Sequence, residues 1–142
     1  MATDPEMERY VLDACALIAY LNDEAGAEIV AELIEQSRQN ILRLYVASVN
    51  LYEVFYDGLK RDETSARQLL NDLYNLPVII IETLDRPLMQ LAGRLKVSYR
   101  ISLADSIALA LAQQLQARFI SSDHHEIDPI EKAGGVQMKW IR

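Results

Sequence analysis

Four carboxylic acids stand where the sequence around them is apolar. Asp13 closes the run RYVLD and precedes ACALIAYL. Glu53 lies in VNLYEVFY, Asp105 in ISLADSIALALA, and Asp123 follows RFISS. Charged side chains are uncommon in such surroundings unless they are paired or hold a cation. If the four converged, their repulsion would force a proton onto one of them unless a cation lay between. A site built only of oxygens suits Mg2+ or Mn2+. Two such ions could activate a water and stabilise the leaving oxygen of an in-line phosphoryl displacement.

Each acid also has a simpler reading as helix-end chemistry. Asp13 could cap the helix after it, and Asn50-x-x-Glu53 and Ser102-x-x-Asp105 both fit a capping-box spacing. Asp123 could stabilise the positive end of a short helix. On a helical wheel Glu53 groups with Asn50, Asp57 and Lys60, away from the Leu51/Val54/Phe55 stripe, so periodicity alone reads it as exposed. The chain's two histidines, His124 and His125, are adjacent. Neighbouring helical residues project about 100° apart, so the pair does not grip one ion. A surface role is expected for both, and Glu126 and Asp128 read as loop or helix-start acids.

The elements that must position these acids alternate in kind. Strands are expected over 9–13, 41–48, 78–81, 118–122 and 136–141. Helices are expected over 14–22, 24–38, 49–61, 62–76, 85–100 and 102–117, the fifth with Pro87 in its first turn. Strands alternating with helices, several of them continuously apolar, predict an α/β fold with a parallel sheet covered on both faces. Such sheets bind ligands beyond the carboxyl ends of their strands, near a topological switch point. Asp13 and Asp123 fall at such ends.

Composition narrows the class. At 142 residues the chain fits one domain that needs no disulfide or metal to hold it up. Its lone Cys15 can form neither an internal disulfide nor a cysteine zinc site, which makes a reducing cytoplasmic setting the expectation. The polar start MATDPEMER is not a secretory signal, and no apolar run approaches a membrane span. A net charge of −7 argues against broad electrostatic attachment to nucleic acid. It leaves room for a nucleic-acid enzyme whose cations supply the local charge.

Taken in order, VLDACALIAYL, NLYEVFY, SLADSIALALA and ISSDHHEID resemble the four motifs of the PIN domain family. The likeness is to VapC-like ribonuclease toxins of bacterial and archaeal toxin–antitoxin pairs. The match runs nearly end to end, which implies a single PIN-like domain over 1–142. The fold it implies is a three-layer sandwich with a central parallel sheet of about five strands and helices on both faces. It implies Mg2+- or Mn2+-dependent cleavage of RNA, homodimerisation and inhibition by a cognate antitoxin. By the same resemblance Asp13 and Asp105 are the surest metal ligands. Glu53 completes the site or positions the attacking water. Asp123 binds metal directly or through water, and Ser121 supports it. Cys15 departs from the family, many of whose members carry serine or asparagine there.

Some further residues fit an RNA partner and fit ordinary packing too. Arg86, Arg94, Lys96 and Arg100 concentrate on one helix and could follow a backbone, although a solvated face is the commoner meaning. Tyr45, Tyr52, Tyr56 and Tyr99 could stack on bases or pack in core and rim. A receiver-like module would need an aspartate where VIIIETL offers Glu82, and a lysine after RFISS. A haloacid-dehalogenase-type phosphatase would need an aspartate where Cys15 stands. A catalytically silent binding domain of the same fold is the remaining alternative.

Overall fold

The computed structural model describes residues 7–142, so the first six residues of the polar start lie outside the described ones. The apolar runs become five short strands: β1 (Arg9–Leu12), β2 (Arg43–Ala47), β3 (Ile79–Ile81), β4 (Arg118–Ser121) and β5 (Met138–Trp140). They form one sheet in the order β3-β2-β1-β4-β5, with every pairing parallel. Leu12 pairs with Val46 on one side and Ile120 on the other, so β1, β2 and β4 end level. The chain moves outward from β1 to β3, then returns across the sheet to β4. The switch point therefore lies between β1 and β4, at their carboxyl ends.

Alternation along the strands sorts the core into two layers. Tyr10, Leu12, Leu44, Val46 and Ile120 point to one face. There they meet α1 (Ala14–Leu21), α2 (Ala27–Arg38), α3 (Ser48–Leu59) and α4 (Glu63–Tyr74). Val11, Tyr45, Ala47 and Phe119 point to the other, against α5 (Arg86–Ser98), α6 (Leu103–Leu115) and α7 (His124–Lys132). The expected three-layer sandwich with a five-stranded parallel sheet is what the chain adopts.

Side-chain caps set most of the helix starts. Asp13, Asp62, Asp85, Ser102 and Asp123 each accept a hydrogen bond from a backbone N–H in the first turn that follows. One expectation is corrected. Asn50 and Glu53 lie inside α3, which starts at Ser48 without a side-chain cap, so they form no capping box. Residues after Asp123 form a regular helix, α7, although Pro129 stands in its interior and removes one backbone donor. The buried Ile127 and Ile130 hold that helix against the sheet.

Two glycines adopt left-handed backbone conformations with different surroundings. Gly26, before α2, has φ +95°, and a Cβ there would lie 2.6 Å from the main-chain oxygen of Ile141. Gly134 has φ +75° with open space around it. Gly134→Ala is expected to cost about 1 kcal/mol from backbone strain alone. Gly26→Ala should cost more than about 2 kcal/mol, because a steric clash adds to the strain. Urea unfolding of the two variants checks this, and equal costs would contradict the close approach at Ile141.

Candidate functional site

Asp13 follows β1 and is almost completely buried, 1% exposed. Its Oδ1 accepts the Ala16 N–H at 2.8 Å, which starts α1, and its Oδ2 accepts the hydroxyl of Ser121. Ser121 ends β4 and is fully buried. The same Ser121 oxygen accepts the N–H of Asp123 at 2.9 Å. One serine thus links the acid after β1 to the acid after β4. Capping and site-building are not alternatives at these positions, because Asp13 does both.

Asp105 comes from the first turn of α6. Its N–H donates to Ser102 Oγ at 3.0 Å, which is half of a capping box. The reciprocal half is made elsewhere, since the Ser102 N–H donates to Glu126 Oε2 at 3.4 Å. The Asp105 carboxylate is therefore left free of the cap and turns toward other acids. Oxygens of Asp105, Asp123 and Glu126 lie within 4.8 Å of one another. Asp123 also caps α7 by accepting the Glu126 N–H at 3.2 Å, and this turn brings the Glu126 side chain back over the site.

Glu53 lies on the wall formed by α3 and is half-buried. The wheel placed it in solvent, but neighbouring elements cover that side of the helix. Asn50, fully buried, donates Nδ2 to Glu53 Oε1 at 3.1 Å, while its own Oδ1 has no partner among the described residues. That bond fixes the Glu53 rotamer.

The electrostatics record the convergence. Burial pushes the Asp13 carboxyl up to about 7; the Ser121 and Ala16 hydrogen bonds oppose this, and the charges of Asp123 and Glu53 add to it. Burial pushes Asp105 up to about 9, helped by its hydrogen bond with Glu126 and the charges of Asp13, Glu126 and Glu53. Burial also raises Glu53; the Asn50 hydrogen bond opposes this, and the Glu126 charge adds to it. Cys15 reports on the whole group. Its thiol is pushed up to about 12 by burial first, then by Asp13, Asp123, Asp105 and Glu53. Without a cation the cluster keeps protons it would lose in water. An all-oxygen donor set that repels itself fits a hard divalent ion.

Glu126 is the member that sequence reasoning read as an ordinary helix-start acid. The available signal was its place three residues after Asp123, which puts both on one side of a helix only if α7 exists. The histidines do not form a metal site. The His124 ring stacks on Trp140 at 3.7 Å, with Nδ1 2.9 Å from Asp128 and Nε2 2.8 Å from the main-chain oxygen of Arg142. It therefore ties α7 to the end of the chain, and His125 is exposed. Tyr45 is core. Tyr52 and Tyr56 form an exposed edge-to-face pair on α3, and Tyr99 is half-buried.

Residues 10–131 match the PIN domain family, and the chain belongs to that family. No curated protein matches it significantly. Its fold is similar to that in the structure of VapBC2 from Rickettsia felis bound to a promoter DNA fragment. The identity is 14% and the TM-score 0.70, over 93% of this chain and 98% of that one. It is also similar to a toxin–antitoxin complex from Klebsiella pneumoniae, at 20% identity and TM-score 0.64 over 89% and 94% of the two chains. DNA-bound VapBC from Salmonella typhimurium gives 13% identity and TM-score 0.70 over 96% and 100%. At these identities the likeness is one of fold.

The raised carboxyls give stability a definite pH dependence in metal-free protein. Between the ordinary aspartate value, about 4, and the folded values of about 7 for Asp13 and about 9 for Asp105, the native state holds more protons than the unfolded state. Stability therefore falls as pH rises through that window and levels off above it. Melting in chelator from pH 5 to pH 9 should show this decline, and Asp105→Asn should flatten its upper part. A wild-type melting temperature that rises steadily to pH 9 would contradict the buried cluster.

Proposed function

We propose that this chain is a divalent-metal-dependent endoribonuclease acting as the toxin of a toxin–antitoxin pair. The observation that carries the reading is the meeting of Asp105, Asp123 and Glu126 oxygens within 4.8 Å, at the switch point of a PIN-domain sheet. Asp105 and Asp123 would hold Mg2+ or Mn2+ directly, with Glu126 beside them. Asp13, whose oxygens are both hydrogen-bonded, adds negative charge and fixes the β1–β4 junction through Ser121. When bound, such an ion supplies an electrophile for the scissile phosphate and makes a water more acidic.

The residues then divide the work. Glu53 is half-buried and oriented by Asn50, with a raised affinity for protons. It is the carboxylate suited to take the proton from a water attacking phosphorus. The leaving sugar oxygen departs opposite and gains a proton from solvent. Ser121 donates to Asp13 and accepts from Asp123, and so keeps two carboxylates in register. A cognate antitoxin, homodimerisation and a cytoplasmic setting belong to the same reading. VapBC and other toxin–antitoxin structures share the fold, and no helix among the described residues is long and apolar enough to cross a membrane.

Cleavage of single-stranded RNA should require Mn2+ or Mg2+ and stop in excess chelator. Asp13→Asn, Asp105→Asn and Asp123→Asn should each lose about 100-fold or more in rate, although asparagine can still cap a helix. Cleavage that survives chelation, or normal rates in all three variants, would overturn the nuclease reading.

Metal binding is also expected to raise stability without any substrate. At a hundredfold excess over Kd the gain is about 3 kcal/mol, or roughly 10 °C in melting temperature. It should grow from pH 6 to pH 8, as protons leave the carboxylates. Asp105→Asn should lose the gain. A Mn2+-induced shift of wild-type size in that variant would place the ion elsewhere.

A further inference from the structure

A groove of about 590 Å³ opens at the α5–α6 connection. Lys96, Val97, Tyr99, Arg100 and Ser102 line it, and its far end is Glu126. Ser102 caps the helix that carries Asp105, and its N–H reaches Glu126. The groove therefore runs directly into the acid cluster.

Its cations differ from five others in the chain. Arg38, Lys60, Arg61, Arg67 and Arg142 each lie within 4.0 Å of a carboxylate. Among the described residues Lys96 and Arg100 are in no such pair, and both are exposed. Lys96 Nζ instead donates to the Ile101 carbonyl at 2.6 Å, which fixes its ammonium at the groove wall. Val97, 90% exposed, gives the groove an apolar lip.

A chain of net charge −7 needs local positive charge to bring a polyanion against five acids. Here that charge flanks the acids. We propose that this groove is a substrate subsite: Lys96 and Arg100 hold an RNA backbone phosphate next to the scissile one, and a base lies against Val97. The inference rests on the ribonuclease reading and adds to it the place where the strand enters. Guanidinium is the better of the two phosphate ligands, because its fork can take two oxygens.

The test is steady-state cleavage of a single-stranded RNA oligonucleotide in Mn2+ by wild type, Arg100→Glu, Arg100→Lys and, as a control, Arg67→Glu. Melting curves check that each is folded. Arg100→Glu should raise KM about 10-fold or more with kcat changed less than about twofold. It should also reduce the salt dependence of kcat/KM by roughly 0.7 in log–log slope, the loss of one single-strand phosphate contact. Arg100→Lys should keep most of the affinity, and Arg67→Glu should behave as wild type.

If Arg100→Glu matches Arg67→Glu in KM and slope, the subsite is wrong while the nuclease reading stands. If Arg100→Glu changes the sedimentation of the protein and leaves KM alone, the groove is a protein interface and the proposal is overturned. If wild type cleaves no RNA in Mn2+, the nuclease reading fails and the subsite falls with it.

Discussion

Asp13 is buried against the hydroxyl of Ser121, and that contact sets the carboxyl edge of the sheet. Parallel register brings Leu12 level with Ile120, so the next residue of each strand, Asp13 and Ser121, must meet. The serine oxygen then receives the Asp123 N–H, and Asp123 in turn starts α7, which returns Glu126 to Asp105. A buried carboxylate without such a partner would be costly. With it, the cost shows as a carboxyl that gives up its proton only near neutrality. Asp13 and Asp123 each contribute both a helix start and a negative charge, so the repulsion at this edge is offset by hydrogen bonds that begin α1 and α7.

The division of charge around this edge follows the same logic. All the acids but Glu53 occupy strand ends and first turns, where backbone N–H groups satisfy oxygens of Asp13, Asp123 and Glu126. Lys96 and Arg100, in no ion pair among the described residues, lie on the adjoining α5–α6 connection and line one groove with Glu126. A cation bound among the acids and a polyanion bound along the groove are compatible, since each supplies the charge the other lacks. The aromatic pair Tyr52 and Tyr56 lies on the solvent side of the helix that carries Glu53, and neither residue belongs to the groove lining.

Much of this was legible in the residues. Apolar strands alternating with helices require a covered parallel sheet, and RYVLD and RFISSD place acids at strand ends whatever the loops do. Asp105 stood out because its helix is apolar on nearly every side. Three features did not read correctly for physical reasons. Periodicity assigned Glu53 to a polar face, and a wheel carries no information about which neighbouring elements cover that face. Asn50-x-x-Glu53 has the spacing of a cap, but the strand ended earlier and put both residues inside the helix. Glu126 reads as a loop or helix-start acid, because local spacing does not show that the first turn of α7 faces Asp105 on a helix distant in the chain. His124 drew attention as a ligand type, yet both of its nitrogens are engaged in holding the end of the chain.

The central claim is that these acids converge in order to hold a divalent cation. Crystals soaked in Mn2+ and measured for anomalous scattering test it most directly. The account predicts a peak about 2.1 Å from oxygens of Asp105 and Asp123, with Glu126 at or next to the ion. No peak among these carboxylates at saturating Mn2+ would contradict it.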